Sequence, residues 1–300
     1  MEITKIVNKK DVVIGIIILS ITFGITHVHY FEPEGGDPEH YFAIAENISN
    51  IKNVPAPFNH RIMTPLIVGY IKSLFNLPTW RAFYLINYIF LFLSALVFFK
   101  FLRRIGYDDI LSLLGVAIYL SNYIIIGMSV FMVDPLFFLF YISGIYFIFT
   151  NKTKYLIPTI LVGILNKELI LLLIPYYLVI KLKKPYLSFF ILALFIPYYL
   201  WIHEKYEFIT LSPRLHELIE NPIRKIIYAS TSFSLLWFIA PLGYKNSHPF
   251  IKKSVFFLPF IFFLWLFATN LDRMTFLAFP IIIPLVLQAI KDNLQNIKKY

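Results

Sequence analysis

No cysteine occurs in the chain. Disulfides, thiolate metal sites and cysteine nucleophiles are therefore excluded, and the redox compartment cannot be read. Charge is also scarce: Asp, Glu, Lys and Arg make up 15% of 300 residues, where soluble domains carry about a quarter. The 59% of residues that are hydrophobic, with 19% of the chain aromatic, exceed what a water-soluble core can hide. Acids are fewer than bases, 17 against 27, leaving a net charge of +10. The basic residues fall in short clusters beside apolar runs, so the charge points to membrane sidedness and not to nucleic acid. Internal repeats, low-complexity tracts and soluble linkers are absent. No small-x-small cleavage pattern follows the first apolar run, Val12 to His29, so it is expected to stay as a helix.

What the chain does have is a succession of apolar runs. A membrane span needs about 20 such residues. Spans are expected at 12–30, 80–99, 109–127, 134–150, 185–203, 226–243, 254–269 and 274–290. The first loop, 31–79, holds two shorter helices. In 38–51, Tyr41, Ile44, Ala45, Ile48 and Ile51 recur at helical spacing. The stretch 62–76 is apolar but interrupted by Pro65. Both are expected to lie in the membrane interface.

Between Lys154 and Lys181 lie 26 residues with Asn166-Lys167-Glu168 at their centre. That is long for one span and short for two. Positive-inside counting favours a short hairpin, because 17 of the 27 Lys and Arg then fall on the inner side. A single span divides them evenly. The expected fold is thus all-α, a polytopic transmembrane bundle of about ten membrane helices in one domain, 1–300. One pair is the hairpin, both termini are cytoplasmic, and interfacial helices occupy the first outer loop.

On this topology the notable polar groups gather on the outer side: Asp37, His40, His60, Arg61, Asp134, Lys167, Glu168, Asp272 and Arg273. Asp37-Pro38 suits a helix start, with the aspartate as N-cap, and Asp134-Pro135 repeats that pattern. A capping carboxylate keeps one oxygen for other work, and Gly35-Gly36 permits close approach of a ligand. Lys167 and Glu168 are ionisable groups at membrane depth, which are costly and usually functional; an ion pair that locks the hairpin is the plainer account. Arg273 also suits a cation reaching the headgroups, and His60 and Arg61 suit anchoring of the second interfacial helix. His27 and His29, with His40, Asp37 and Glu39, offer ligands to a divalent cation, a weak signal. Asn47-Ile48-Ser49 is an N-x-S sequon within a helical stretch.

These residues resemble the C-type (GT-C) integral-membrane glycosyltransferases that use polyprenyl-phosphate-linked sugars. The matching pieces are Gly36-Asp37 with Tyr41 after helix 1, and Pro57-Phe58 with Arg61 before Pro65-Leu66. Asp134-Pro135-Leu136, Lys167-Glu168, and Asp272-Arg273 before a last helix holding Pro280 and Pro284 complete the set. Two departures stand out: no large outer domain follows the helices, and Glu39 lies two residues after Asp37 where some relatives pair their acids. The resemblance implies a single displacement that inverts the anomeric centre. Asp37 would be the general base, and Arg273, Arg61 and Lys167 would clamp the donor phosphate. Glu168, Asp134, His40, Tyr41 and His60 would contact sugar or acceptor, with Glu168 also able to orient Lys167 and Tyr41 able to stack on the sugar. It requires no cofactor and leaves a divalent cation open. The implied partners are a polyprenyl-phosphate sugar, a glycan, lipid or protein acceptor, and the bilayer. A lipid-linked-sugar flippase, an outer-face acyltransferase and a polysaccharide polymerase are the rival readings.

Overall fold

The apolar runs fold into helices, and no strand occurs among the described residues. The computed structural model describes residues 9–27, 36–122, 124–125, 130–184, 222–266 and 271–297. The helix expected at 185–203, all but the end of the loop expected at 204–225, and His29 lie outside them.

Helix α1 (Lys9–His27) turns an apolar face outward, with Val13, Ile16 and Phe23 each more than half exposed. Helix α2 (Asp37–Glu46) is followed by a 3-10 turn, Ile48–Asn53, and then by α3 (Met63–Phe75). The two helices cross closely: a Cβ on Gly69 would lie 2.6 Å from the Ala45 carbonyl oxygen. Helix α4 (Thr79–Arg104) has 26 residues and so extends about 39 Å. By length and composition, α1 and α4 can each cross a membrane. Arg103 and Arg104 end α4, where cations suit the helix dipole. Gly106, at φ 108°, turns the chain into α5 (Asp109–Leu120), whose first turn is capped by Asp108 through the Leu111 N–H at 2.8 Å.

The segment holding Asn166-Lys167-Glu168 doubles back on itself. Helix α6 (Asp134–Phe149) leads into α7 (Thr153–Ile164), a 3-10 turn Glu168–Leu172, and α8 (Leu173–Lys181). Lys181 Nζ donates to Asn151 Oδ1 at 2.8 Å, so both ends of the segment sit together and its centre is the far tip.

Contacts at that end of the bundle join most of the basic clusters. Arg103 lies 2.9 Å from Asp109, which Lys10 also engages. Lys291 donates to the Gly106 carbonyl at 3.2 Å, and Lys253 to that of Leu182 at 3.2 Å. His248 meets Phe149 edge-on, and Asn246 donates to Asp292 at 3.0 Å.

The later apolar runs are more broken than the hydropathy suggests. The helix expected at 226–243 is two, α9 (Pro222–Thr231) and α10 (Leu236–Gly243), separated by a turn in which Ser234 has φ 45°. That expected at 254–269 begins at α11 (Pro249–Ser254) and continues through 3-10 turns around α12 (Leu258–Phe263). The last is interrupted between α13 (Leu271–Phe276) and α14 (Phe279–Ile297). Pro280 has no N–H to continue the ladder. The Ile281 N–H bonds Ala278 instead, and the Leu277 carbonyl accepts from the Tyr141 hydroxyl at 3.1 Å.

Aromatic rings fill the core between α4, α5, α6 and α14. Phe98, Tyr119, Phe138, Phe276 and Phe279 are fully enclosed and touch edge to face or stacked. A smaller cluster, built from Tyr41, Val68, Phe83 and residues 130–133, packs α2, α3 and the first half of α4 together. That cluster is the platform for the polar site.

Candidate functional site

Three short segments meet at the hairpin tip. The Met63 N–H donates to the Leu165 carbonyl at 3.0 Å. Asn166, fully buried, accepts from the Thr64 hydroxyl at 2.6 Å and donates to the Val133 carbonyl at 2.8 Å. The 130–133 segment is held in turn by buried Asn87 on α4, which donates to the carbonyls of Val130 at 2.7 Å and Met132 at 2.9 Å. Buried amides are kept where their hydrogen bonds are met, and Asn87 here fixes two carbonyls that lie outside any helix. Asn87 and Asn166 were not singled out in the sequence; an amide amid apolar residues was the signal that could have found them.

On this frame the charges pair crosswise. Arg61 takes Glu168 as a fork, Nε to Oε2 at 3.0 Å and Nη2 to Oε1 at 2.5 Å, and gives Nη1 to the Tyr41 hydroxyl at 3.3 Å. Lys167 donates to Asp134 Oδ1 at 2.6 Å and lies 5.5 Å from the Phe137 ring centre. Arg273 Nη1 stands 3.9 Å from Asp134 Oδ2, beyond hydrogen-bond distance. Oδ2 makes no hydrogen bond among the described residues. Glu168 therefore engages Arg61 and not Lys167, and Lys167 is spoken for by Asp134.

Access to the five groups differs. The Lys167 and Asp134 side chains are 3% and 5% exposed, Arg61 and Arg273 13% and 12%, and Glu168 31%. Burial works against the charge on Arg61, but the Glu168 carboxylate more than offsets it, and the guanidinium is held above its ordinary pKa. Burial pushes the Tyr41 hydroxyl up to about 12, so it stays neutral. Three cations and two carboxylates thus share one buried site. A third acid, Asp272, is buried beside Arg273 and accepts from that residue's own N–H at 2.8 Å. The Ser232 hydroxyl donates to the Asp272 carbonyl at 2.7 Å.

Neither aspartate expected to cap a helix does so. Gly36, at φ 81°, occupies the cap of α2 and Val133 that of α6; Asp37 and Asp134 are the first helical residues, and neither side chain makes a cap bond. The proline at the second position of each helix shifts the start by one residue, since its fixed φ already fits the first turn. The Asp134 carboxylate goes to Lys167. Asp37 is exposed, and among the described residues its carboxylate takes part in no hydrogen bond or ion pair. It stands four residues before Tyr41, on the same helix face and one turn away.

The remaining expected contacts divide. Tyr41 is fully buried and packs edge-on to Phe58 at 5.5 Å, so its ring cannot stack on a sugar; it acts through Arg61. His40 lies over Phe58 at 4.5 Å, and His60 ends the 3-10 turn Phe58–His60 in an exposed position. His27 stacks on Phe23 at 5.3 Å. Among the described residues no three His, Asp or Glu converge to hold a metal. No protein-family model matches the chain, and no curated protein or solved structure does. The site is therefore argued from its own geometry.

An apolar groove of about 440 Å³ opens between α9, α10, the 262–265 stretch and Thr275 of α13. Trp237, Phe238, Phe262 and Trp265 form its walls, with Ser230, Ser234 and Thr275 as polar points. Ser232, bonded to the Asp272 carbonyl, belongs to the same turn as Ser230 and Ser234. A ligand with an apolar tail and an anionic head has a place for each within a few residues.

Proposed function

We propose that the chain is a multi-pass membrane glycosyltransferase of the C type, moving a sugar from a polyprenyl-phosphate donor to an acceptor hydroxyl at the extracytoplasmic face. The observation that carries the reading is the convergence of Arg61, Lys167 and Arg273, from three distant parts of the chain, with an exposed Asp37 one helical turn from Tyr41, which accepts from Arg61. The hairpin is the pair of short membrane segments in a bundle of about ten. Its tip lies below the outer surface, where charge and irregular backbone are tolerated only under protein or water. Both termini are cytoplasmic, which agrees with the gathering of basic clusters at the opposite end.

A prenyl phosphate is confined to the bilayer, so its phosphate arrives at headgroup depth, and the apolar groove between α9 and α10 suits its chain. Asp37 accepts the proton of the acceptor hydroxyl as that oxygen forms its bond to the anomeric carbon. The bond from the anomeric carbon to the phosphate oxygen breaks, and its electron pair leaves on the phosphate. Arg273 and Arg61, the more accessible cations, stabilise that charge. Lys167 contributes its field from behind Asp134, and Tyr41 keeps Arg61 in place.

Asp37→Asn tests the assignment. The variant is expected to lose at least about 10²-fold in transfer from a labelled polyprenyl-phosphate sugar, with its melting temperature nearly unchanged because the carboxylate bonds none of the described residues. Full transfer by the variant would remove Asp37 as the base. Translocation of the labelled lipid without transfer would replace the enzyme reading with a flippase.

A further inference from the structure

We infer that Asp134 Oδ2 and Arg273 Nη1 form a two-point reader for a sugar whose hydroxyl lies next to the carbon that bears the phosphate. The inference rests on the proposed function and adds a requirement on the donor. Asp134 is locked on one side only: Oδ1 receives Lys167 at 2.6 Å. Its other oxygen is buried and accepts no hydrogen bond among the described residues. A buried carboxylate oxygen left in that state is costly, so it is expected to be filled when the site is occupied. The Arg273 guanidinium stands 3.9 Å off.

The two atoms call for opposite partners. Oδ2 accepts and needs an O–H or N–H; Nη1 donates and suits an anionic oxygen. A phosphate diester offers the second and lacks the first, because both of its ester oxygens are carbon-bound. The donor hydrogen must then come from the sugar. With the reading atoms 3.9 Å apart, it must come from a carbon close to the phosphate, which is the neighbour of the anomeric centre. When the phosphate draws the Arg273 guanidinium toward itself, Oδ2 is left to that hydroxyl. Whatever other contacts Arg273 keeps, phosphate binding and hydroxyl reading are coupled through this one pair. A sugar with only hydrogen at that carbon cannot make the contact.

The test varies the ligand on the intact, detergent-solubilised protein. Four probes are compared by intrinsic tryptophan fluorescence: farnesyl phosphate, farnesyl phosphoglucose, farnesyl phosphomannose, and the farnesyl phosphate ester of 2-deoxyglucose. The better of the two hexosyl probes is expected to bind at least about tenfold more tightly than the 2-deoxy probe, since a site built for a hydroxyl rejects the analogue that lacks it. The Asp134→Leu/Lys167→Met variant is expected to bind farnesyl phosphate more weakly than the parent, through Arg61 and Arg273, and to treat the hexosyl and 2-deoxy probes alike. Should that variant fail to fold, the comparison on the unmodified protein decides alone. Equal affinity for hexosyl and 2-deoxy probes in the unmodified protein overturns the inference and leaves the proposed function standing, as does discrimination that persists in the folded variant. If no probe binds, farnesyl phosphate included, the proposed function falls and the inference with it.

Discussion

The pairing of Lys167 with Asp134 supplies the sharpest test of the site's physics. At 2.6 Å and an effective dielectric near 20, the gross attraction is about 6 kcal/mol. Several kcal/mol per ion are lost to desolvation, and side chains only 3% and 5% exposed recover little of that from water. The pair as a whole therefore contributes little net stability, while each member depends on the other. Asp134→Asn leaves a buried ammonium among Arg61, Arg273 and the Phe137 ring; Lys167→Met leaves a buried carboxylate with Arg273 at 3.9 Å. Removing one partner of such a pair costs about 3–5 kcal/mol. The lysine loss is expected at the lower end because Arg273 remains. Replacing both, as Asp134→Asn with Lys167→Met, removes the charges together, and Met lies naturally against Phe137. The double variant is expected to melt above either single variant in detergent, with a coupling of about 3 kcal/mol in the double-mutant cycle. Thermal unfolding of the four proteins in one detergent measures this. If Asp134→Asn melts like the parent, or the two losses simply add, the crosswise pairing is wrong.

Two further outcomes can be checked more simply. Tyr41→Phe removes the hydroxyl that receives Arg61 Nη1 at 3.3 Å, a bond to a charged group worth about 1.5–3 kcal/mol. Weaker phosphate binding by about tenfold or more is expected, with the fold intact, and unchanged binding would show that Glu168 alone orients Arg61. Because the chain has no native cysteine, Asn151→Cys with Lys181→Cys gives a clean cross-linking pair. Rapid closure by a short bismaleimide is expected, and no closure would mean that the segment between them does not double back.

Much of this arrangement was legible before any coordinates. The apolar runs at 80–99 and 134–150 mark α4 and α6 closely, because uninterrupted apolar sequence leaves the backbone only itself to bond. Charge counting found the doubled-back segment at Lys154–Lys181, since Lys152, Lys154 and Lys181 all favour the same side. The broken later helices were less legible. Pro241, Pro259, Pro280 and Pro284 sit inside high hydropathy, and hydropathy does not register a missing N–H. The partner choice of each charge was not legible at all. Lys167 and Glu168 are neighbours in sequence, yet the extended backbone at Lys167, φ −163° and ψ 127°, sends their side chains to different partners. Tyr41 was expected on the apolar stripe of an interfacial helix and against the sugar; the second hydrophobic cluster, assembled from residues 41 to 133, encloses it.

The spacing of the Arg61–Glu168 fork bears on how the protein is made. The two residues are 107 apart in the chain. At a synthesis rate of about 5–20 residues per second, the guanidinium leaves the ribosome about 5–20 s before the carboxylate that neutralises it. Over that interval Arg61 must stay hydrated at the membrane surface while α4 to α6 are laid down. Its pocket can close only when the tip of the doubled-back segment arrives, and Arg273 comes later still. The charged centre is thus among the last parts of the molecule to be completed, and a ribosome stalled before residue 168 would hold a nascent chain whose first arginine of the site is still in water.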